Sequence, residues 1–404
     1  MLSFSEMAVS SSSFPSLCPI LPLSSMNCRR PQKFKYRKFS LRIVASSTDP
    51  LASIGRLLWG RALPPQQLVA VVRLAWSSTW QLMMGQLAPS SDSGSYSRPT
   101  SAFPVVPDSY YRTFSTGDNC RLHLYVALPC PWAHRTLIVR ALKNLEDDIS
   151  VSVAAPGDDG SWEFRDDSDT AAGASFLAPS SDKANGRRTL REVYGLRSGG
   201  YNGRSTVPML WSMDKGDVVC NESYGIIEFF NSGFLDGVGM DLAPPDLRGQ
   251  IEAWNEIIYP NVNNGVYRCG FAQSQEAYNA AVNDLFQTLD MLDTHLATSR
   301  YLCGTVLTLA DVCLFTTLIR FDLAYNILFK CTKRKLVEFS NLHAYTRDIY
   351  QIPKVAETCK FEAIMDGYYK TLFPLNPGSI RPVIPVNCEP EYLNKPHGRE
   401  ILSR

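Results

Sequence analysis

At Leu128 the hydrophobic period of the chain changes. Upstream, Leu122-His123-Leu124-Tyr125-Val126-Ala127-Leu128 reads as an apolar alternating strand. Downstream, Leu137, Ile138, Ala141, Leu142 and Leu145 recur at helical spacing, and Ile149, Val151 and Val153 then alternate as a second strand. Strand, helix and strand this close together fold as one βαβ unit. Between the first strand and the helix lies Cys130-Pro131-Trp132-Ala133-His134-Arg135. The thiol is therefore expected at a helix N-terminus, where free N–H groups and the macrodipole favour negative charge. That placement favours the thiolate, the reactive form of a cysteine. Two residues beyond Pro131 stands Ala133, so a Cys-x-x-Cys disulfide cannot close. The natural intermediate of such a site is a mixed disulfide with a small external thiol.

The pattern continues in a definite order. A long polar stretch rich in Gly, Asp and Ser runs from Pro156 to Arg204. Val207-Pro208-Met209-Leu210-Trp211 and Val218-Val219-Cys220 read as a hairpin around Asp214-Lys215-Gly216. A helix opens near Ser223 with Ile226, Ile227 and Phe230 on one face. The order βαβ, ββ, α is that of a thioredoxin-like domain. After Asp241-Leu242-Ala243-Pro244-Pro245 the pattern turns helical, with apolar faces at Leu285, Leu289, Leu292 and Leu296 and again at Val312, Leu314, Phe315 and Leu318. Thr308-Leu309-Ala310-Asp311 has the form of a capping box before an apolar run. The fold class expected is α/β plus all-α. Its parts are a thioredoxin-like domain over 105–235, a helical domain over 236–382 and an irregular proline-rich tail over 383–404.

The first 46 residues read as an address. Ser10 to Ser13 and Ser24-Ser25 are followed by Arg29, Arg30, Lys33, Lys35, Arg37, Lys38 and Arg42, with Glu6 the only acid before Asp49. A serine-rich, basic, acid-poor leader is that of an organellar transit peptide; the late basic residues favour the chloroplast, with the mitochondrion as alternative. Residues 47–104 form a basic, partly helical extension. Within it, 50–91 is too short and too charged to span a bilayer, and is expected to be a helix packed on the protein or a loose linker rather than a membrane-surface helix. A formal net charge of +1 points to no nucleic-acid partner. Eleven cysteines lack metal-ligand spacing and read as reduced thiols, with no metal site.

The motif series is more specific than the element order. Cys130-Pro131-Trp132-Ala133-His134-Arg135, Gly160-Ser161-Trp162-Glu163-Phe164, Thr206-Val207-Pro208, Asn221-Glu222-Ser223 and Asn263-Asn264-Gly265-Val266-Tyr267 resemble glutathionyl-hydroquinone reductases, the xi class of glutathione transferases. So do Arg320-Phe321-Asp322, Arg347-Asp348-Ile349-Tyr350-Gln351 and Val355-Ala356-Glu357-Thr358. The resemblance covers about residues 105 to 382. It implies Cys130 as nucleophile and glutathione as co-substrate. Pro208 matches the cis-proline of thioredoxin-like folds, with Val207 offering backbone groups to the peptide. Glu222 and Ser223, at a helix start, suit the ammonium and carboxylate of the γ-glutamyl end. Trp162 resembles the family's tryptophan over the glutathione.

For the second substrate, Tyr267, Tyr325, Tyr350, Tyr368 and Tyr369 are candidates, with Tyr267, Tyr325 and Tyr368 favoured. A tyrosine offers an aromatic face to a quinol ring and a proton to a departing carbon. His134 is expected to pack rather than act as a base. The expected reaction is reductive deglutathionylation of aromatic glutathione conjugates through a Cys130–glutathione mixed disulfide, in a homodimer. Two alternatives are an omega-like thioltransferase or dehydroascorbate reductase, and a non-catalytic carrier of aromatic ligands.

Overall fold

The computed structural model describes residues 66–403 apart from 92, 116–120, 158–159, 166–176 and 233–238. The expected leader of residues 1–46, and the extension up to residue 65, lie outside the described residues. Helix α1 (Gln66–Leu87) opens the described chain and presents Val69, Val71, Val72, Leu74 and Trp76 as exposed side chains. No described helix is long and apolar enough to cross a membrane. Residues 81–404 form one compact unit, distinct from the unit that includes the earlier part of α1.

The sheet follows the hydrophobic pattern. Strand β1 (Leu122–Val126) is buried at every position, and helix α2 (Pro131–Leu142) leads on to β2 (Ile149–Val153), which pairs with β1 in parallel. A small second sheet joins β3 (Ala155–Pro156) to β4 (Trp162–Glu163). Beyond helix α3 (Leu190–Gly195), strands β5 (Met209–Ser212) and β6 (Asp217–Cys220) form the expected antiparallel hairpin, and helix α4 (Ser223–Asn231) follows. The strand order is β2-β1-β5-β6. The described residues of the polar stretch 156–204 are more structured than its composition suggests. Buried Asp182 accepts the Tyr125 hydroxyl at 2.7 Å and the backbone N–H groups of Ala184, Asn185 and Arg187, which ties a polar loop to β1.

The helical half supplies α5 (Gln275–His295), α6 (Leu309–Leu318), α7 (Ser340–Tyr350) and α8 (Phe361–Tyr369). Helix α6 is buried around its whole circumference, as its lack of a polar face requires. Its start is the expected capping box: Asp311 accepts from Thr308 N at 2.8 Å and Thr308 Oγ1 at 2.7 Å. The carboxylate also takes the Leu302 N–H and the Tyr345 hydroxyl, both at 2.8 Å. Two wide π-helical turns, Tyr259–Asn263 and Phe321–Tyr325, interrupt the regular helices. The tail is less irregular than expected. It makes short helical turns at Val386–Cys388, Pro390–Leu393 and Glu400–Ser403. Arg399 caps the carbonyls of Leu296, Ser299 and Arg300.

Helix α2 is the element on which the two halves meet. It packs on α4 on one side, and on α6 and Val355–Thr358 on the other. Every residue from Pro131 to Ala141 is buried, including His134, Arg135 and Arg140. The apolar stripe in its sequence accounts for only part of this burial; among the polar side chains His134, Arg135, Thr136 and Arg140 each make hydrogen bonds. Arg140 donates to the carbonyls of Ile149 and Glu146 at 2.7 and 2.8 Å, which closes the turn between α2 and β2.

Burial also sets the acid response of the fold. His123 lies between Ser150 Oγ at 2.6 Å and Ser152 Oγ at 2.8 Å, and burial pushes its pKa down to about 4. Burial likewise lowers His343 to about 4 and His134 well below its ordinary value. The unfolded chain binds protons at these sites near pH 6.5 and the folded chain does not, so stability falls as pH drops from there toward 4. At about pH 5.5 the expected loss is on the order of 1 kcal/mol per histidine relative to neutral pH. Urea unfolding at about pH 7, 6 and 5 measures it; a flat profile over that range contradicts the assignment.

Candidate active site

Cys130 occupies the N-cap of α2, with extended backbone at φ −73° and ψ 118°. Its sulfur accepts the Ala133 N–H at 3.5 Å and lies 3.5 Å from the Val207 carbonyl oxygen. The Val207–Pro208 peptide is cis. Strand–helix periodicity thus placed the thiol correctly, and the hairpin brings Val207 beside it from 77 residues away. The side chain is fully buried.

Two clefts flank this position. The smaller, about 200 Å³, is lined by Val207, Pro208, Asn221, Glu222 and Ser223, with Trp132 and Tyr201 as its aromatic walls. Glu222 stands at the N-cap of α4 and is held by Ser101 Oγ at 2.6 Å and Ser223 Oγ at 3.2 Å. Arg135 reaches across from α2, donating to Ser223 Oγ at 3.3 Å and to Asn263 Oδ1 of the helical half at 2.8 Å. The larger cleft, about 700 Å³, lies between the halves. Its walls include Leu128 and Pro129, just before Cys130, together with Pro156, Ala363, Gly367 and Phe373. Cys130 itself lines neither cleft: it is buried behind Val207 of the smaller one and follows Pro129 of the larger one in the chain.

The three favoured tyrosines converge. The Tyr368 hydroxyl is 2.8 Å from Tyr267 Oη and 2.8 Å from Tyr325 Oη, and all three side chains are buried. Tyr325 comes from the wide turn Phe321–Tyr325, Tyr267 from the helix that follows the other wide turn, and Tyr368 from α8. A charge on the Cys130 sulfur is close enough to act on Tyr267 and Tyr325. Burial raises the pKa of each tyrosine, so all three keep their protons at neutral pH. Tyr267 and Tyr325 also hydrogen-bond each other, so the three hydroxyls form one cluster that shares its three protons.

Other candidates lie elsewhere. Tyr350 stacks on Phe361 with ring centroids 6.2 Å apart, and Tyr369 donates to the Leu323 carbonyl at 3.1 Å; both serve the helical core. Trp162 is buried on β4, in the small sheet with Pro156, and does not line the smaller cleft. His134 packs as expected. Arg320 Nη1 sits 2.9 Å from its Nδ1, which makes Nδ1 the acceptor and leaves Nε2–H to donate to Thr358 Oγ1 at 2.8 Å. Neutral and doubly engaged, it has no proton to exchange with a substrate.

Arg320 is the residue whose role the motif did not disclose. Its fully buried guanidinium donates to Pro129 O at 3.1 Å, Leu128 O at 3.1 Å and Thr316 O at 2.9 Å, besides His134. It fixes the backbone immediately before Cys130 from the helical half. Inside a helical sequence pattern an arginine reads as a solvated face, and only the buried character of α6 on its N-terminal side hinted otherwise. Replacing Arg320 by Met would leave three carbonyls and an imidazole nitrogen buried without donors, an expected cost of about 3 kcal/mol or more. Urea unfolding measures this, and a cost under about 1 kcal/mol would sink the assignment.

A thioredoxin-like domain with a reactive residue at its first helix start, followed by an all-helical domain, defines a glutathione transferase. Residues 129–232 match the glutathione S-transferase N-terminal domain, and 275–348 its C-terminal domain. The glutathionyl-hydroquinone reductase YqjG of Escherichia coli is 40% identical over 336 residues, 81% of this chain and 97% of that protein. Its glutathione-bound structure superposes with a TM-score of 0.64 at 44% identity, covering 70% of this chain and 88% of that one. The xi-class transferase of Phanerochaete chrysosporium superposes with a TM-score of 0.67 at 39% identity, covering 74% and 95%. The chain belongs to the xi class of glutathione transferases, the glutathionyl-hydroquinone reductase family.

Proposed function

We propose that this protein reduces glutathionyl-hydroquinones to hydroquinones at the expense of glutathione. The observation that carries the reading is one thiol whose sulfur lies 3.5 Å from the carbonyl of Val207, a residue of the cleft that holds Glu222 and Ser223, and whose charge acts on Tyr267 and Tyr325 of the buried tyrosine cluster. The Escherichia coli relative, named a glutathionyl-hydroquinone reductase, supports it.

In the first half-reaction the glutathionyl part of the conjugate lies in the smaller cleft, with Glu222 on its ammonium and the Ser223 end of α4 on its carboxylate. The quinol ring extends toward the larger cleft, whose volume suits an aromatic conjugate. Cys130 thiolate attacks the conjugate's sulfur, and the bond from sulfur to the aromatic carbon breaks. That carbon takes a proton from the tyrosine cluster and leaves as free hydroquinone. Cys130 is then disulfide-bonded to glutathione. A second glutathione thiolate attacks this disulfide, releases oxidised glutathione and restores the Cys130 thiolate. The tyrosine that gave its proton regains one through solvent, matching the proton the second glutathione thiol gives up, so atoms and charge balance over the cycle.

The alternative, an omega-like thioltransferase, needs no proton on carbon, and the tyrosines discriminate. With a glutathionyl-hydroquinone as substrate, Cys130→Ser is expected to abolish turnover. Mass spectrometry of the wild type stopped after one equivalent of conjugate should show a reducible glutathione adduct on Cys130. Tyr368→Phe is expected to slow quinol reduction by about 100-fold while leaving disulfide exchange within about twofold, since a positioned proton donor contributes on this scale. An equal loss with both substrates would favour the thioltransferase.

The chain acts as a homodimer, and its first 46 residues direct it to the chloroplast. A fluorescent protein carrying residues 1–46 should enter chloroplasts. Replacing Arg29, Arg30, Lys33, Lys35, Arg37 and Lys38 by alanine should leave it in the cytosol. Unaltered import of the substituted leader would remove this assignment.

A further inference from the structure

One wall of the smaller cleft is not built by the thioredoxin-like domain. Arg98, Pro99, Thr100, Ser101 and Ala102 line it from a segment that precedes that domain. The segment is anchored at its end. Phe103 N–H donates to Asn221 Oδ1 at 2.9 Å, and Phe103 O accepts the Asn221 N–H at 3.0 Å. At the next residue, the Pro104 carbonyl approaches Gly225 so closely that a Cβ there would stand 2.9 Å away. The Phe103 ring lies 5.9 Å from that of Tyr201 and 4.9 Å from the Arg197 guanidinium.

With its end fixed in this way, the segment delivers two polar groups to the cleft. The Ser101 hydroxyl donates to Glu222 Oε2 at 2.6 Å while Ser223 engages Oε1, so the carboxylate is gripped at both oxygens. Arg98 lies 4.0 Å from the centre of the Trp132 ring, which also receives Arg135 at 4.4 Å. The charged residues lining the cleft are Arg98, Arg204 and Glu222. Glutathione carries two carboxylates and one ammonium, the complement of two guanidinium groups and one carboxylate.

We propose that Ser101 and Arg98 complete the glutathione site: Ser101 is a positioning residue that aims Glu222 at the ammonium of the γ-glutamyl group, and Arg98 binds a glutathione carboxylate. This rests on glutathione being the ligand of the smaller cleft. A carboxylate anchored through one hydroxyl on each oxygen keeps its remaining lone pairs aimed into the cleft. Without Ser101 it regains rotational freedom that the ammonium must then overcome.

The test is calorimetric titration of glutathione into the full chain carrying Cys130→Ser, which reads binding whether or not quinol conjugates are the substrate. Adding Ser101→Ala is expected to weaken glutathione about five- to tenfold, and Ser101→Thr, which keeps the hydroxyl, to recover most of the loss. For N-acetyl-glutathione, which has no ammonium, Ser101→Ala should cost less than about twofold, because Ser101 acts through the Glu222–ammonium pair. Arg98→Ala is expected to weaken glutathione about tenfold, with partial recovery in Arg98→Lys. Unchanged glutathione affinity in either alanine variant overturns the role of that residue. An equal loss for glutathione and N-acetyl-glutathione in Ser101→Ala overturns positioning. Failure of the parent Cys130→Ser chain to bind glutathione removes the assignment of the cleft, and this proposal with it.

Discussion

A buried guanidinium holds the loop before Cys130 in place. Arg320 sits in the helical half, yet two of its hydrogen bonds end on the carbonyls of Leu128 and Pro129, the residues that turn the chain from β1 into α2. Removing such a cation from water is costly unless its N–H groups find acceptors at good geometry. Here the acceptors are backbone carbonyls and an imidazole nitrogen, which have no flexible stems of their own. The bond to His134 then fixes the tautomer of that ring, and the ring in turn holds Thr358. One charge thereby locks three stretches of chain against each other around Cys130.

Charge and proton are set apart in the structure. Toward the smaller cleft the groups are ionic or strongly polar, with Glu222, Arg98 and Arg204 lining it. Toward the helical half they are neutral hydroxyls that burial keeps protonated. In the proposed reaction the Cys130 sulfur exchanges disulfides with one partner, and the tyrosines return a proton to carbon on the other. The same three tyrosines would add little to simple thiol exchange, which requires no acid on the leaving carbon.

How much of this was legible in the sequence depended on the range of the interaction. The change of period at Leu128 located Cys130 because strand and helix periodicities are local. Asp214-Lys215-Gly216 marked the hairpin for the same reason, and Gly216 does turn at φ +61°. The tyrosines were distinguishable only by their motifs, since nothing in a helical pattern tells a core hydroxyl from one in a site. Their convergence depends on wide π-helical turns, which a 3.6-residue period does not reveal. Ser101 lies 121 residues from Glu222, in the stretch read as an extension ahead of the domain. Trp162 stood out only through its motif, and the fold sets it on β4 of the small sheet.

The enclosure of α2 bears on how substrates reach the sulfur. Swinging the two halves apart would expose a helix whose residues from Pro131 to Ala141 are all buried, among them two arginines and a histidine that draw their partners from neighbouring segments. Uncovering that surface would approach the cost of local unfolding, far beyond a routine thermal fluctuation. Traffic to Cys130 must therefore pass through the clefts by small movements of side chains and loop edges. In kinetic terms the active centre behaves as a fixed anvil with adjustable approaches, and any gate to it belongs to the surrounding loops rather than to a hinge between domains.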